Sequence, residues 1–173
     1  LSMSFFNSFN FFKKKYIVNE GKNINNRDNY GLTSVIWASI ENHKNTLIML
    51  IKNGANIELT DNNGWSALIW AAWSNNSEIL KILLKNGSNT ELKSKRKDTA
   101  LSWAAYRGNI KIVRTLLNYK ANINTSNQNK MTPLLIACEK GHYDVVKELL
   151  KNGADKTYKN WFGITAKKKA SIC

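Results

Sequence analysis

Laid on itself with an offset of 33 residues, the chain aligns Gly21, Gly54, Gly87, Lys120 and Gly153 in one column and Gly31, Gly64, Lys97, Lys130 and Gly163 in a second. Two independent columns agreeing on one period confine the fold to a linear array, in which each unit packs only against its neighbours. The 173 residues would otherwise suggest one or two globular domains.

Within each period the residues predict two helices. Thr33, Ser66, Thr99 and Thr132 stand as N-caps, each followed two positions on by an apolar residue and five and six positions on by small ones. That pattern makes a short helix with one face reduced to Ala, Ser or Cys, so that a neighbour can approach closely. A second apolar cluster follows at helical spacing: Leu47, Leu50 and Ile51; Leu80, Leu83 and Leu84; Val113, Leu116 and Leu117; then Val146, Leu149 and Leu150. This second helix ends at Gly54, Gly87 or Gly153, where glycine most easily takes a left-handed C-cap. Polar stretches such as Thr60 to Gly64 and Ser126 to Lys130 then make a protruding turn.

The segments Gly31-Leu-Thr-Ser-Val-Ile-Trp-Ala38, Gly64-Trp-Ser-Ala-Leu-Ile-Trp-Ala-Ala72, Lys97-Asp-Thr-Ala-Leu-Ser-Trp-Ala-Ala105 and Lys130-Met-Thr-Pro-Leu-Leu-Ile-Ala-Cys138 carry these columns. Each resembles the signature Gly-x-Thr-Pro-Leu-His-x-Ala-Ala of the ankyrin-repeat family. The resemblance covers roughly nine-tenths of the chain and implies an all-α solenoid of stacked helix-turn-helix units with protruding β-turn fingers. It places full repeats at 28–60, 61–93, 94–126 and 127–159, a degenerate N-terminal capping segment at 1–27 and a truncated C-terminal capping repeat at 160–173. Tyr16 to Gly21 matches Met49 to Gly54 one period later, and Lys167 takes a position where the full repeats carry Val or Leu, which suits a polar end cap. The signature histidine is replaced by Ile36, Ile69, Ser102 and Leu135, and the proline survives only at Pro133. Loss of that histidine's hydrogen bonds is expected to cost stability.

Chemistry of other kinds finds no residues. The apolar run Phe5 to Phe12 precedes Lys13 to Lys15, whereas a secretory signal puts charge first and a membrane span needs about 20 apolar residues. Cys173 is last rather than fourth from last, so the tail is not a prenylation box. Cys138 and Cys173 do not make a disulfide framework, and a cytosolic or nuclear setting is the expectation. His43 and His142 lie three periods apart, on the order of 25 to 30 Å in a stack of packed helices, too far for a shared metal or proton relay. They share a column with Asn76 and Asn109, and each is expected to cap a helix boundary. Phosphate loops, nucleophile elbows and Cys-x-x-Cys pairs are missing. No catalytic residue, metal or cofactor is therefore expected.

In ankyrin proteins, partners are bound by the turn tips and the exposed side of the first helix, which form a concave groove. Carried onto this sequence, the turn column holds Tyr30, Asn63, Arg96, Asn129 and Phe162, and the residue before the cap is Leu32, Trp65, Asp98, Met131 or Ile164. Late in the first helix come Ile40, Trp73, Tyr106 and Glu139, followed by Glu41, Ser74, Arg107 and Lys140. An unused solvent face would be Lys, Glu, Gln and Ser, while aromatics and arginine dominate interface energies. The candidate partner-binding residues are Tyr30, Trp65, Trp73, Arg96, Tyr106, Arg107, Met131, Trp161 and Phe162. The competing reading folds Trp65 and Trp73 down over their own helix. Trp37, Trp70 and Trp103 recur at the repeat period and are expected to stack between repeats as a ladder.

The net charge of +14 is uneven: seven basic and one acidic side chain give residues 94–126 a net +6, whereas 28–60 and 61–93 carry −1 and 0. The basic turn Lys93, Lys95, Arg96 and Lys97 implies an acidic partner. Lys52, Lys85 and Lys151 sit at helix C-termini, where they offset the helix dipole without a ligand, and heavy Asn and Lys usage is also compatible with a composition bias of the source genome. The expected partner is thus a protein, through an acidic and apolar segment bound in the groove by a monomer that takes no small-molecule substrate. Anionic nucleic acid or a lipid surface bound at 94–126 is the alternative, as is service as the targeting arm of a larger enzyme.

Overall fold

The computed structural model describes residues 23–166. The helix expected around Tyr16 to Gly21, the run Lys167 to Lys169 and Cys173 lie outside them. Among the described residues there are eight helices: α1 Ser34–Ile40, α2 Lys44–Lys52, α3 Ala67–Trp73, α4 Ser77–Lys85, α5 Ala100–Arg107, α6 Ile110–Asn118, α7 Pro133–Glu139 and α8 Tyr143–Lys151. The first helix of each pair starts where its hydroxyl cap lies. The side chains of Thr33, Ser66, Thr99 and Thr132 each accept from the amide three residues on, at 3.3 Å in every repeat. At the third repeat Ser102 also turns back on Thr99 as a capping box.

Helices α1, α3, α5 and α7 pack in one row, α2, α4, α6 and α8 in a second, and each pair packs on itself. Close approach within the first row is made by Ala38, Ala71, Ala72, Ala104, Ala105 and Ala137, all buried. Leu47, Leu80, Leu83, Ile112, Leu116 and Leu149 fill the space between the rows. Leu150 departs from the expected apolar cluster and is 43% exposed. Its helix, α8, ends the second row among the described residues, so the face that Leu84 buries against a neighbour stays open.

The shared histidine and asparagine column holds helix boundaries, though not those of its own helices. Asn76, Asn109 and His142 begin α4, α6 and α8 without any side-chain cap bond. They reach back one repeat instead. Asn76 Nδ2 donates to the carbonyls of Ser39 and Ile40, Asn109 Nδ2 donates to that of Ala72, and His142 Nε2 lies 2.9 Å from Tyr106 O. Each thus satisfies a carbonyl that the end of the preceding first helix leaves without an intrahelical donor.

The fingers are held by a second polar column, Asp28, Asp61, Ser94, Asn127 and Asn160. In each the side-chain oxygen accepts from the backbone amides two and four residues on. Neighbouring fingers are tied by backbone bonds of 2.9 Å from Asn62 to Tyr30, Lys95 to Asn63 and Gln128 to Arg96. Asn76, Asn109, Asn127 and Asn160 thus have structural work in these two columns. At the tips the chain turns with positive φ: Gly64 has φ +76, and a Cβ there would lie 3.0 Å from the Lys95 amide nitrogen. Lys97 and Lys130 take the same left-handed conformation at the exposed tips of the next two fingers.

Candidate partner-binding site

Trp65 and Trp73, expected apart from the ladder, form one cluster with its members Trp70 and Trp103. Trp65 lies with its ring centroid 4.7 Å from both Trp70 and Trp103 and 5.9 Å from Trp73. Trp73 meets Trp103 edge-on at 4.9 Å and stacks on Tyr106 at 5.9 Å. Trp65, just before the cap of α3, lies between Trp70 and Trp103 and touches both, whereas Trp73 and Tyr106, also one period apart, touch each other directly. Trp65 and Trp73 are consequently half-buried rather than on an open face.

The indole N–H groups of this cluster are unequal. Trp70 Nε1 donates to Asp61 Oδ2 at 3.0 Å. One repeat later the finger residue is Ser94, whose hydroxyl is engaged by the Arg96 and Asp98 amides, and Trp103 Nε1 is buried without a hydrogen-bond partner. A buried unsatisfied donor costs about 1 to 3 kcal/mol. Ser94→Asp is expected to keep the finger bonds, as Asp61 does, and to stabilise the chain by about 1 kcal/mol. Urea unfolding checks this, and an unchanged or lower midpoint would refute it.

Cations cover the outer rings. The Arg107 guanidinium lies 4.8 Å from the Trp73 centroid, Lys140 Nζ 4.4 Å from that of Tyr106 and Lys130 Nζ 4.2 Å from that of Trp161. Beyond Trp103 the surface opens into a cleft of about 860 Å³ between the fingers and first helices of the last repeats. Arg96, Asp98, Trp103, Tyr106, Met131, Lys140, Trp161 and Phe162 line it. Burial pushes the Asp98 carboxyl above the ordinary aspartate range, against the pull of its Asn127 hydrogen bond and of the Arg96 charge. The folded chain therefore holds this proton better than the unfolded one does, and the stability it contributes is lost as pH rises through the folded value.

Of the residues singled out from the sequence, Trp65, Trp73, Tyr106 and Arg107 come together in the aromatic cluster, and Arg96, Tyr106, Met131, Trp161 and Phe162 line the cleft. Tyr106 belongs to both. Tyr30 is exposed on the first described finger, outside the cleft. Leu32 and Asp98, placed in a groove column, are buried. Lys130 and Lys140 were not singled out, although Lys140 shares its column with Arg107, and the change down that column from Glu41 and Ser74 to two cations was the available signal. Among the described residues no group of His, Cys, Asp and Glu is placed to hold a metal, and no helix is long and apolar enough to cross a membrane.

A row of helix pairs with projecting fingers and a recessed aromatic surface defines the class of helical-repeat solenoids. A family profile described as ankyrin repeats (3 copies) matches residues 5–94 and 86–160, and the chain belongs to the ankyrin-repeat family. Ankyrin repeats are generally protein-protein interaction modules and typically not enzymes. No curated protein matches the sequence.

Proposed function

We propose that this chain holds an acidic and apolar segment of another protein against the surface formed by Trp73, Tyr106, Arg107 and the adjoining cleft. The observation that supports the reading is the placing of cations over three of its rings, Arg107 on Trp73, Lys140 on Tyr106 and Lys130 on Trp161, since aromatic and arginine side chains supply most interface energy. The charges favour protein over a phosphate backbone. The aromatic cluster begins in residues 61–93, whose net charge is 0, a poor setting for a continuous phosphate backbone.

A photo-crosslinking amino acid in place of Tyr106 or Phe162 is expected to capture the partner. The same group in place of Tyr143, exposed on the second-helix row, is expected to capture nothing specific. Capture from position 143 with none from 106 or 162 would overturn the assignment.

A further inference from the structure

We infer that the tips of the last three fingers form a second binding surface, which lays the chain on an anionic phospholipid membrane: lysines and Arg96 meet the headgroups, and Trp161 and Phe162 enter the interface. The inference goes beyond the function proposed above. Arg96, Trp161 and Phe162 also wall the cleft, so an occupied cleft and a bound membrane compete for them.

The tips make one connected strip. The Lys95 amide donates to Asn63 O and the Gln128 amide to Arg96 O, and Trp161 Nε1 extends the series by donating to Gln128 O, each at 2.9 Å. Residues 92–98, 125–131 and 156–163 make these three fingers. They carry seven cations, all exposed, with Lys95, Arg96, Lys97 and Lys130 toward the tips, and one carboxylate, Asp98, which is buried. The finger column spares the strip further acid without losing the turn. Asp28 and Asp61 accept from the amides two and four residues on in the first two described fingers, and the uncharged Ser94, Asn127 and Asn160 accept the same bonds in the last three. A negatively charged surface is the complement of such a strip, since every Lys or Arg brought near it is attracted.

The strip ends in an apolar point. Phe162 and Trp161 stand exposed side by side on the last described finger. Amphipathic rings favour the headgroup level of a membrane, and long cationic side chains lie along apolar surface while their charge stays in water. Trp161 is arranged for that setting. Its N–H is satisfied by Gln128 O, so the indole takes no unpaired donor into an apolar layer, and Lys130 Nζ, 4.2 Å from its centroid, sets a charge for a phosphate beside the ring. A single-stranded nucleic acid would instead stack successive bases on open ring faces. These tips offer it little, because Lys130 covers one face of Trp161 and Phe162 is the one other exposed ring on them.

The test mixes the full chain with vesicles of phosphatidylcholine, either alone or with phosphatidylserine at about three to one, and reads the bound fraction by sedimentation. Binding is expected only with phosphatidylserine and is expected to weaken as salt rises. Lys95→Gln with Arg96→Gln should weaken it about tenfold, whereas Lys147→Gln with Lys151→Gln, which removes as much charge from the second-helix row, should change it by less than about twofold. Brominated lipid is expected to quench tryptophan emission, and Trp161→Phe, which keeps a ring, to retain vesicle binding and remove that quenching. Circular dichroism checks that every variant keeps the helical fold. Equal binding to both kinds of vesicle, or equal losses in the two double variants, would overturn the strip as a membrane surface, and quenching that survives Trp161→Phe would overturn the insertion. Single-stranded oligothymidine binding more tightly than the vesicles, and weakened by the Lys95 and Arg96 changes, would overturn the membrane in favour of a nucleic acid. No vesicle binding by a chain that still captures a protein from position 106 would overturn this inference and leave the function proposed above standing; vesicle binding without such capture would do the reverse.

Discussion

Trp70→Ala is expected to destabilise the chain by about 4 kcal/mol, the largest effect of any single indole. Two losses combine. The ring packs against the buried core and lies 4.7 Å from Trp65, so its removal opens a cavity that the adjoining indole cannot fill without leaving Trp103. Its N–H is also a partner of Asp61, and alanine leaves that buried carboxylate short of a donor. Trp70→Phe separates the two, keeping most of the packing and losing the hydrogen bond, for an expected cost of about 1 to 2 kcal/mol. Urea unfolding of both variants checks the partition. Equal effects of Phe and Ala would mean that the hydrogen bond alone matters, and a loss below about 1 kcal/mol for Ala would mean that the ring is not a packing element.

How much of this was legible in the sequence follows from which interactions repeat. The helix pairs were legible because every determinant recurs at 33 residues: the caps Thr33, Ser66, Thr99 and Thr132, and the small residues that let first helices touch. The finger column Asp28, Asp61, Ser94, Asn127 and Asn160 recurs just as strictly, yet polar residues in a turn have many equivalent uses, and only coordinates show which amides they bind. The column of Asn76, Asn109 and His142 was placed correctly at helix boundaries but not assigned to the preceding repeat, because a cap that acts across repeats leaves no local signature. The tryptophans were the hardest. Periodicity says that Trp70 and Trp103 are equivalent, whereas contact depends on the distance between repeats, and at that distance a residue from another column, Trp65, makes the stack. The unequal indole partners came from one substitution, aspartate to serine between positions 61 and 94.

Trp161→Ala together with Phe162→Ala is expected to weaken partner binding by about 2 kcal/mol, roughly 30-fold, with little change in stability. These two side chains are 64% and 84% exposed at the tip of the last described finger. Phe162 has almost no buried surface to lose, and Trp161 gives up an exposed hydrogen bond to Gln128 O and the contact with Lys130. Truncation at such a site typically changes stability by no more than about 0.5 kcal/mol. Binding is another matter, since both rings wall the cleft and would be desolvated by an occupant. Trp65 and Trp73 cannot make this test as cleanly. Each touches several other rings, so removing either alters the fold and the surface at once. Surface plasmon resonance of the captured partner, run beside urea unfolding of the same double variant, reads the two effects separately. Full affinity in the variant would place the occupant nearer Trp73 and Arg107 and leave the cleft unused, whereas a matching loss of stability would make the last finger a structural element rather than a contact.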